Sequence, residues 1–191
     1  SKYLEYKTNG NRTNYEDDVN MRRATLSQLV IGELVEGKKR FIPQIANGIW
    51  WMLKESTWVS PAHIVVQKAG SGLPDPADQY IDLGAGRVGA DIAMIYFLLK
   101  DQLDLVSPLI SKKIEMELSS RIINPYLERD DYWWMAFKSN ASVNNWNIWI
   151  NTNVLKVSLL VERDSLKLKT ILKKLVKSSD KFIDSYPDDG A

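Results

Sequence analysis

LDLVSPLISKKIEMELSSRIINPYLE, residues 103–128, decides the fold class. Ser107 is a good N-cap and Pro108 a good first helical residue: the cap hydroxyl accepts a free backbone N–H, and proline has none to waste. Ile110, Ile114, Leu118 and Ile122 then recur every four residues. That spacing predicts a helix over 109–128 with one apolar stripe.

The pattern repeats outward. Upstream, residues 80–103 read as a long, mostly apolar helix ending in IAMIYFLLK. Before it, AGSGLPDPADQ is a Gly/Pro/Asp loop. A helix is predicted over 41–54, with Pro43 tolerated in the first turn and Ile42, Ile45, Ile49, Trp50 and Leu53 at helical spacing. Another is predicted from Tyr15 to Gly37, opening on Glu16, Asp17 and Asp18 as the helix dipole favours and stopping at a C′ glycine. Residues 1–14 read as an irregular lead-in or strand. Downstream, residues 165–186 form an amphipathic helix, with Leu168, Ile171, Leu172, Leu175 and Phe182 inward and Lys169, Lys173, Lys174, Lys177 and Lys181 toward water. Helix after helix, with few strand signals and no repeat, predicts a single all-α domain of stacked helical hairpins over 1–191.

Composition excludes several function classes. The net charge of +1 gives no electrostatic case for nucleic acid or an anionic membrane. No apolar run approaches the length of a bilayer span. Cysteine is absent, so there are no disulfides, and no Cys/His set suits a transition metal. Ser1 is not an initiator methionine and both ends look cut, so any signal peptide is expected outside this chain.

Residues 131–153, DYWWMAFKSNASVNNWNIWINTN, stand apart. They hold four of the seven tryptophans (Trp133, Trp134, Trp146, Trp149) together with Asn144, Asn145, Asn147 and Asn151. Indole offers a stiff apolar face with one donor, and carboxamide offers a donor and an acceptor. Together they suit a wall that stacks on sugar rings and hydrogen-bonds their hydroxyls; packing in the core is the competing use. The only histidine, His63, has two readings, general acid or base and structural hydrogen-bonder. Glu55 and Trp58 lie just upstream and allow a polar pocket there. Gly84-Ala-Gly86-Arg-Val-Gly89 matches a cofactor-binding GxGxxG, but no alternation of strands and helices follows, so small residues that let two helices pack closely or line a cleft are the stronger reading. Arg87 within it reaches either an acidic ligand or a salt bridge. The acid pairs Asp130–Asp131 and Asp188–Asp189 read as caps.

The order of these motifs carries a resemblance. NGIWWMLKESTWVSPAH (47–63), YIDL (80–83), LDLVSPLI with RIINPYL, DYWWM, NNWNIW and FIDSYPDDG together resemble the N-terminal helical region of the heparinase II/III family of polysaccharide lyases, in its Bacteroides-like form. The resemblance implies an incomplete (α/α) toroid of antiparallel helical hairpins, of the chondroitin AC or alginate lyase kind. A C-terminal β-sandwich would follow it and is missing from this chain. It implies a periplasmic or secreted protein with no cofactor, whose partner is an acidic polysaccharide or oligosaccharide cleaved by β-elimination at a uronic acid. Asn144 or Asn145 would neutralise the uronate carboxylate. His63 would be a candidate for proton transfer. Trp133, Trp134, Trp146 and Trp149 would line the sugar cleft, with Glu55 and Trp58 facing it from a neighbouring hairpin. The chain departs from the family at Trp146, where a histidine is common, and at the small residues Gly84 and Gly86. The family's catalytic tyrosine would fall past Ala191, so the chain by itself is expected to be inactive. An open toroid also exposes apolar helix faces, which predicts self-association along that side. Two other functions compete: a glycan-binding or glycoside-hydrolysing toroid without lyase activity, and an S-adenosylmethionine site at the Gly84 loop.

Overall fold

In the computed structural model, which describes residues 2–138, 143–187 and 189, the Ser107–Pro108 pair starts a helix as its chemistry dictates. The Ser107 side chain accepts from the Leu109 N–H at 3.3 Å. The elements in order are α1 (Lys2–Asn9), α2 (Thr13–Glu36), α3 (Ile42–Met52), α4 (Leu83–Val106), α5 (Pro108–Leu118), α6 (Asn124–Glu128), α7 (Asn145–Val161) and α8 (Ser165–Ile183), with 3₁₀ turns at Ile64–Val66 and Trp133–Met135. Among the described residues there is no β-strand, so the fold is all-α. Residues 139–142 of the Trp/Asn stretch, and Asp188 of the second acid pair, lie outside the described residues.

Consecutive helices pack in pairs, α2 on α3, α4 on α5 and α7 on α8, and α7 lies closely along α4. A Cβ at Gly86 would stand in ordinary contact with Asn153 and Ile150 of α7, at 3.6 Å and 3.8 Å. At Gly89 it would press to 2.9 Å from Ile122 Cγ1, inside any real carbon–carbon contact. The GxGxxG stretch occupies the first turns of a helix, and at Gly89 it serves close packing.

Three expectations need correction. Residues 2–9 are helical rather than irregular or extended. Tyr3 anchors them: it is buried, donates to the Val59 carbonyl at 3.1 Å and packs edge-on against Tyr15. The helix expected over 109–128 is continuous but widens into a π-helical turn at Ser119–Ile123. Pro125 follows directly; it cannot donate to the Arg121 carbonyl and its ring crowds that oxygen, and a wider turn relieves both. The stripe of Ile110, Ile114, Leu118 and Ile122 is nonetheless fully buried. Finally, Lys174 does not face water. Its ammonium donates to the Tyr126 and Arg129 carbonyls, both at 2.7 Å, and pairs with Asp130 at 2.6 Å. It thereby satisfies carbonyls left free at the end of α6.

The amides of the Trp/Asn stretch divide by depth. Asn147 and Asn151 are buried and tie α7 to α8. Asn147 Nδ2 donates to the Trp134 carbonyl at 2.9 Å and to the Ser178 carbonyl at 3.0 Å. Asn151 Nδ2 donates to Ser178 Oγ at 2.9 Å, while its Oδ1 accepts from the Tyr126 hydroxyl at 2.9 Å. Asn147→Ala strips this network of its centre, and the expected loss in urea unfolding is about 2–3 kcal/mol, the cost of stranding buried polar groups. A loss no larger than that of a typical surface substitution would contradict this account of the amides.

Candidate functional site

The site grows from Asp82. This residue is the N-cap of α4, in extended conformation, and its Oδ1 accepts from the Ala85 N–H at 2.7 Å. Its Oδ2 accepts from the Ser60 N–H at 3.1 Å and meets His63 Nδ1 at 2.7 Å. Asp82 is 0% exposed, so its hydrogen bonds are shielded from water. A carboxylate against Nδ1 keeps the proton of a neutral imidazole on that nitrogen, which leaves the lone pair on Nε2. His63 is half-buried and lines a cleft of about 490 Å³.

Helix α2, the loop 58–63, the first turns of α4 and Trp149 of α7 enclose that cleft. Its polar lining contains three guanidinium groups, Arg12, Arg23 and Arg87, against two carboxylates, Glu16 and Asp91. Arg12 donates to Glu16 at 2.8 Å, and Ser60 Oγ donates to the same carboxylate at 2.6 Å. Burial pushes the Glu16 carboxyl up, but these two hydrogen bonds and the Arg12 charge outweigh it and hold the group below the ordinary carboxylate range. Glu16 therefore stays an anion. Arg23 is steadied from behind by Glu55 at 3.5 Å. Arg87 is the least committed cation: it is well exposed and its pairing with Asp91 is long, 3.7 Å. Tyr15 also faces the cleft, and burial followed by the charge of Glu55 raises its pKa, so it stays a protonated donor.

The tryptophans separate into core and rim. Trp134 is 1% exposed, donates to the Ile81 carbonyl at 2.9 Å and stacks on Tyr132. The expectation that it lines a sugar cleft is corrected, because its ring is closed into the core. Trp58 is buried, donates to the Met52 carbonyl at 3.0 Å and carries Arg121 over its ring, yet one edge still contributes to the cleft wall. Trp146 packs its ring against His63 at 4.6 Å between centroids, and Trp133 packs on Trp146 at 5.0 Å. Trp149 is 45% exposed and is held by a hydrogen bond of 3.3 Å from Nε1 to the Leu83 carbonyl.

Trp146 brings the N-terminal turn of α7 beside His63. Asn144 caps that turn, its side chain accepting from the Trp146 N–H at 3.0 Å, and Asn145 is its first residue; both are exposed. Of the expected site residues, His63 and Trp149 line the cleft, while Trp146 and Trp133 pack beside His63 and Asn144 and Asn145 sit at the start of the helix that carries Trp146. Glu55 does not join them. It is mostly buried between Arg22 and Arg23 and lines a separate apolar groove of α2 and α3. Burial raises its pKa against the pull of those arginines.

Sequence reasoning missed Asp82, Arg12, Tyr15, Glu16 and Arg23 as members of the site. For Asp82 a signal existed, an aspartate directly before a helical apolar run, which is an N-cap pattern. The others meet His63 only through the packing of α2 on the loop 58–63, and no local pattern announces that. Among the described residues no cluster of His, Asp and Glu is arranged to hold a metal ion. No protein-family model matches this chain, and no curated protein matches it in sequence.

Proposed function

We propose that this chain is the N-terminal part of a heparinase II/III-like polysaccharide lyase, an incomplete (α/α) toroid whose cleft holds a uronic-acid-containing glycan for β-elimination. One observation carries the reading: an imidazole backed by a buried carboxylate opens into a cleft where guanidinium groups outnumber carboxylates. The pairing of consecutive helices is the local geometry from which such a toroid is built. The ligand would be an acidic polysaccharide or oligosaccharide, met in the periplasm or outside the cell.

In this reading Arg87 and Arg23, which line the cleft, hold the uronate carboxylate, and Asn144 or Asn145 adds an amide donor. Cations and donors aimed at the carboxylate stabilise the charge that develops there when the C5 proton leaves. His63 Nε2 takes that proton. The electrons of the C5–H bond form the C4–C5 double bond, the C4–O bond breaks, and the departing oxygen is protonated. The resemblance sets the tyrosine that gives this proton past Ala191; Tyr15, a protonated phenol in the same cleft, is a second donor for it within this chain.

Digestion of uronate polymers with the full-length protein that carries this chain separates elimination from hydrolysis. Elimination leaves an unsaturated uronate end that absorbs in the ultraviolet, whereas hydrolysis leaves a saturated end heavier by one water. Unsaturated ends are the expected product. Saturated ends alone would replace the lyase reading with a hydrolase on the same fold, and binding without cleavage would leave a glycan-binding toroid.

A further inference from the structure

Arg121 stands at the middle of the π turn, behind the cleft wall. Wider turns of this kind inside α-helices recur at functional sites. Its side chain is only 13% exposed. Three contacts hold the guanidinium there. Nε donates to Glu117 at 2.7 Å, Nη2 donates to the Glu55 carbonyl at 2.7 Å, and the central carbon lies over the Trp58 ring, 4.6 Å from its centroid. Nη1 is buried with no hydrogen-bond partner among the described residues. A donor left unpaired in the interior is destabilising, and the three contacts outweigh it. Glu117 supports them as an anion: burial pushes its carboxyl up, but hydrogen bonds from Lys113 and Arg121 more than offset that.

These contacts fasten the turn 55–58, and both of its end residues bear on the cleft. The Glu55 carboxylate sits between Arg22 at 3.7 Å and Arg23 at 3.5 Å, and Arg23 lines the cleft. The Trp58 ring lines the cleft directly. Its carbonyl rests on the first turn of α4, so closely that a Cβ at Gly84 would come within 3.1 Å of it. Farther along, Asp82 ties down Ser60 and His63. The loop is thus fastened at its far end by a carboxylate from α4 and at its near end by a guanidinium from the π turn. With the near end loose, Glu55 would move, and Arg23 would lose the carboxylate that steadies it.

We infer that Arg121 is a positioning residue for the cleft: by fixing Glu55 it aims Arg23 at the carboxylate of the bound ligand, without touching that ligand. This rests on the uronate reading of the cleft and adds to it the residue that sets one of its two carboxylate-binding cations. The guanidinium fork is needed, because one side chain meets a carbonyl, a carboxylate and an aromatic face at once. A lysine ammonium supplies the charge but not that geometry.

Calorimetric titration with glucuronate tests this on the wild type, Arg121→Met, Arg121→Lys, Arg23→Met and the double variant Arg23→Met/Arg121→Met. Arg121→Met is expected to bind about fivefold more weakly than wild type, and Arg121→Lys to recover less than about half of that loss. The double variant should bind no more weakly than Arg23→Met alone, because Arg121 acts through Arg23. In the ligand-free protein the Ser60 N–H should exchange with solvent about tenfold faster in Arg121→Met, with the amides of α8 unchanged, which a general loss of stability would not produce. Should Arg121→Met fail to fold, the lysine variant carries the comparison: binding weaker than wild type is the expected result, and binding equal to wild type the contrary one. Full recovery by lysine would reduce Arg121 to its charge. Additive losses in the double variant would separate it from Arg23, and unchanged Ser60 exchange would show that it does not fasten the loop. Each of these overturns the inference while the uronate reading stands. If the wild type does not bind glucuronate, the uronate reading itself fails and takes this inference with it.

Discussion

Asp82→Ala is expected to lower the unfolding free energy by about 3 kcal/mol, one of the largest single effects in the molecule. Three partners converge on this carboxylate: the Ala85 N–H, the Ser60 N–H and His63 Nδ1. Losing an N-cap costs about 1 kcal/mol on its own, and stranding a buried backbone donor costs roughly 1–3 kcal/mol more. Asp82→Asn separates the contributions. Its carboxamide oxygen caps α4 as well as the carboxylate does, but it has no second acceptor for Ser60 and His63. The asparagine variant should therefore lose about half as much stability while leaving the imidazole without its anionic partner. Urea unfolding measures both. An alanine variant within about 0.5 kcal/mol of wild type, the range of an ordinary surface substitution, would show that the Asp82 hydrogen bonds are not what holds the loop 58–63 to α4.

His63→Gln is expected to have the largest effect on chemistry. If His63 Nε2 receives the C5 proton, its loss lowers the rate of elimination by the full-length protein by about 10²–10⁴-fold, the usual contribution of a positioned base. Binding of the acidic ligand should change by less than about threefold, because guanidinium groups rather than imidazole hold the carboxylate, and a uniform loss of binding would be read as a raised KM at constant kcat. The measurement is kcat and KM on a uronate polymer. A variant with unchanged kcat would remove His63 from the proton transfer and return it to the role of a structural hydrogen-bonder on Asp82.

Much of the helical frame was legible because its ends are marked by chemistry. Gly37 adopts φ 64° as a C′ glycine must, and Ser107–Pro108 starts α5. The first residues were misread because polarity alone suggested a lead-in; what holds them is Tyr3, whose partner Val59 lies 56 positions away. The same distance effect governs the site. His63 was visible as the sole histidine, but its partner Asp82 is 19 residues on and belongs to another element. Composition sets residues 131–153 apart and does not sort them. Asn147 looks like Asn145 in sequence, yet it is buried because Ser178, 31 residues downstream, supplies its partners. Trp134 and Trp133 are neighbours that point to opposite fates, since a 3₁₀ turn places one indole in the core and the other at the rim. Glu55, grouped with His63 by proximity in sequence, reaches the cleft only through Arg23.

The proposed elimination requires a uronate in the His63 cleft. Because His63 is the only histidine, its imidazole gives a single set of ring resonances and reports on this cleft alone. The decisive measurement is a nuclear magnetic resonance titration of that ring with glucuronate and, separately, with glucose at matched concentration. Saturable shifts of the His63 ring are expected with glucuronate and none with glucose, and the response should be lost in Arg87→Glu. A ring that responds to neither sugar, or equally to both, would contradict it.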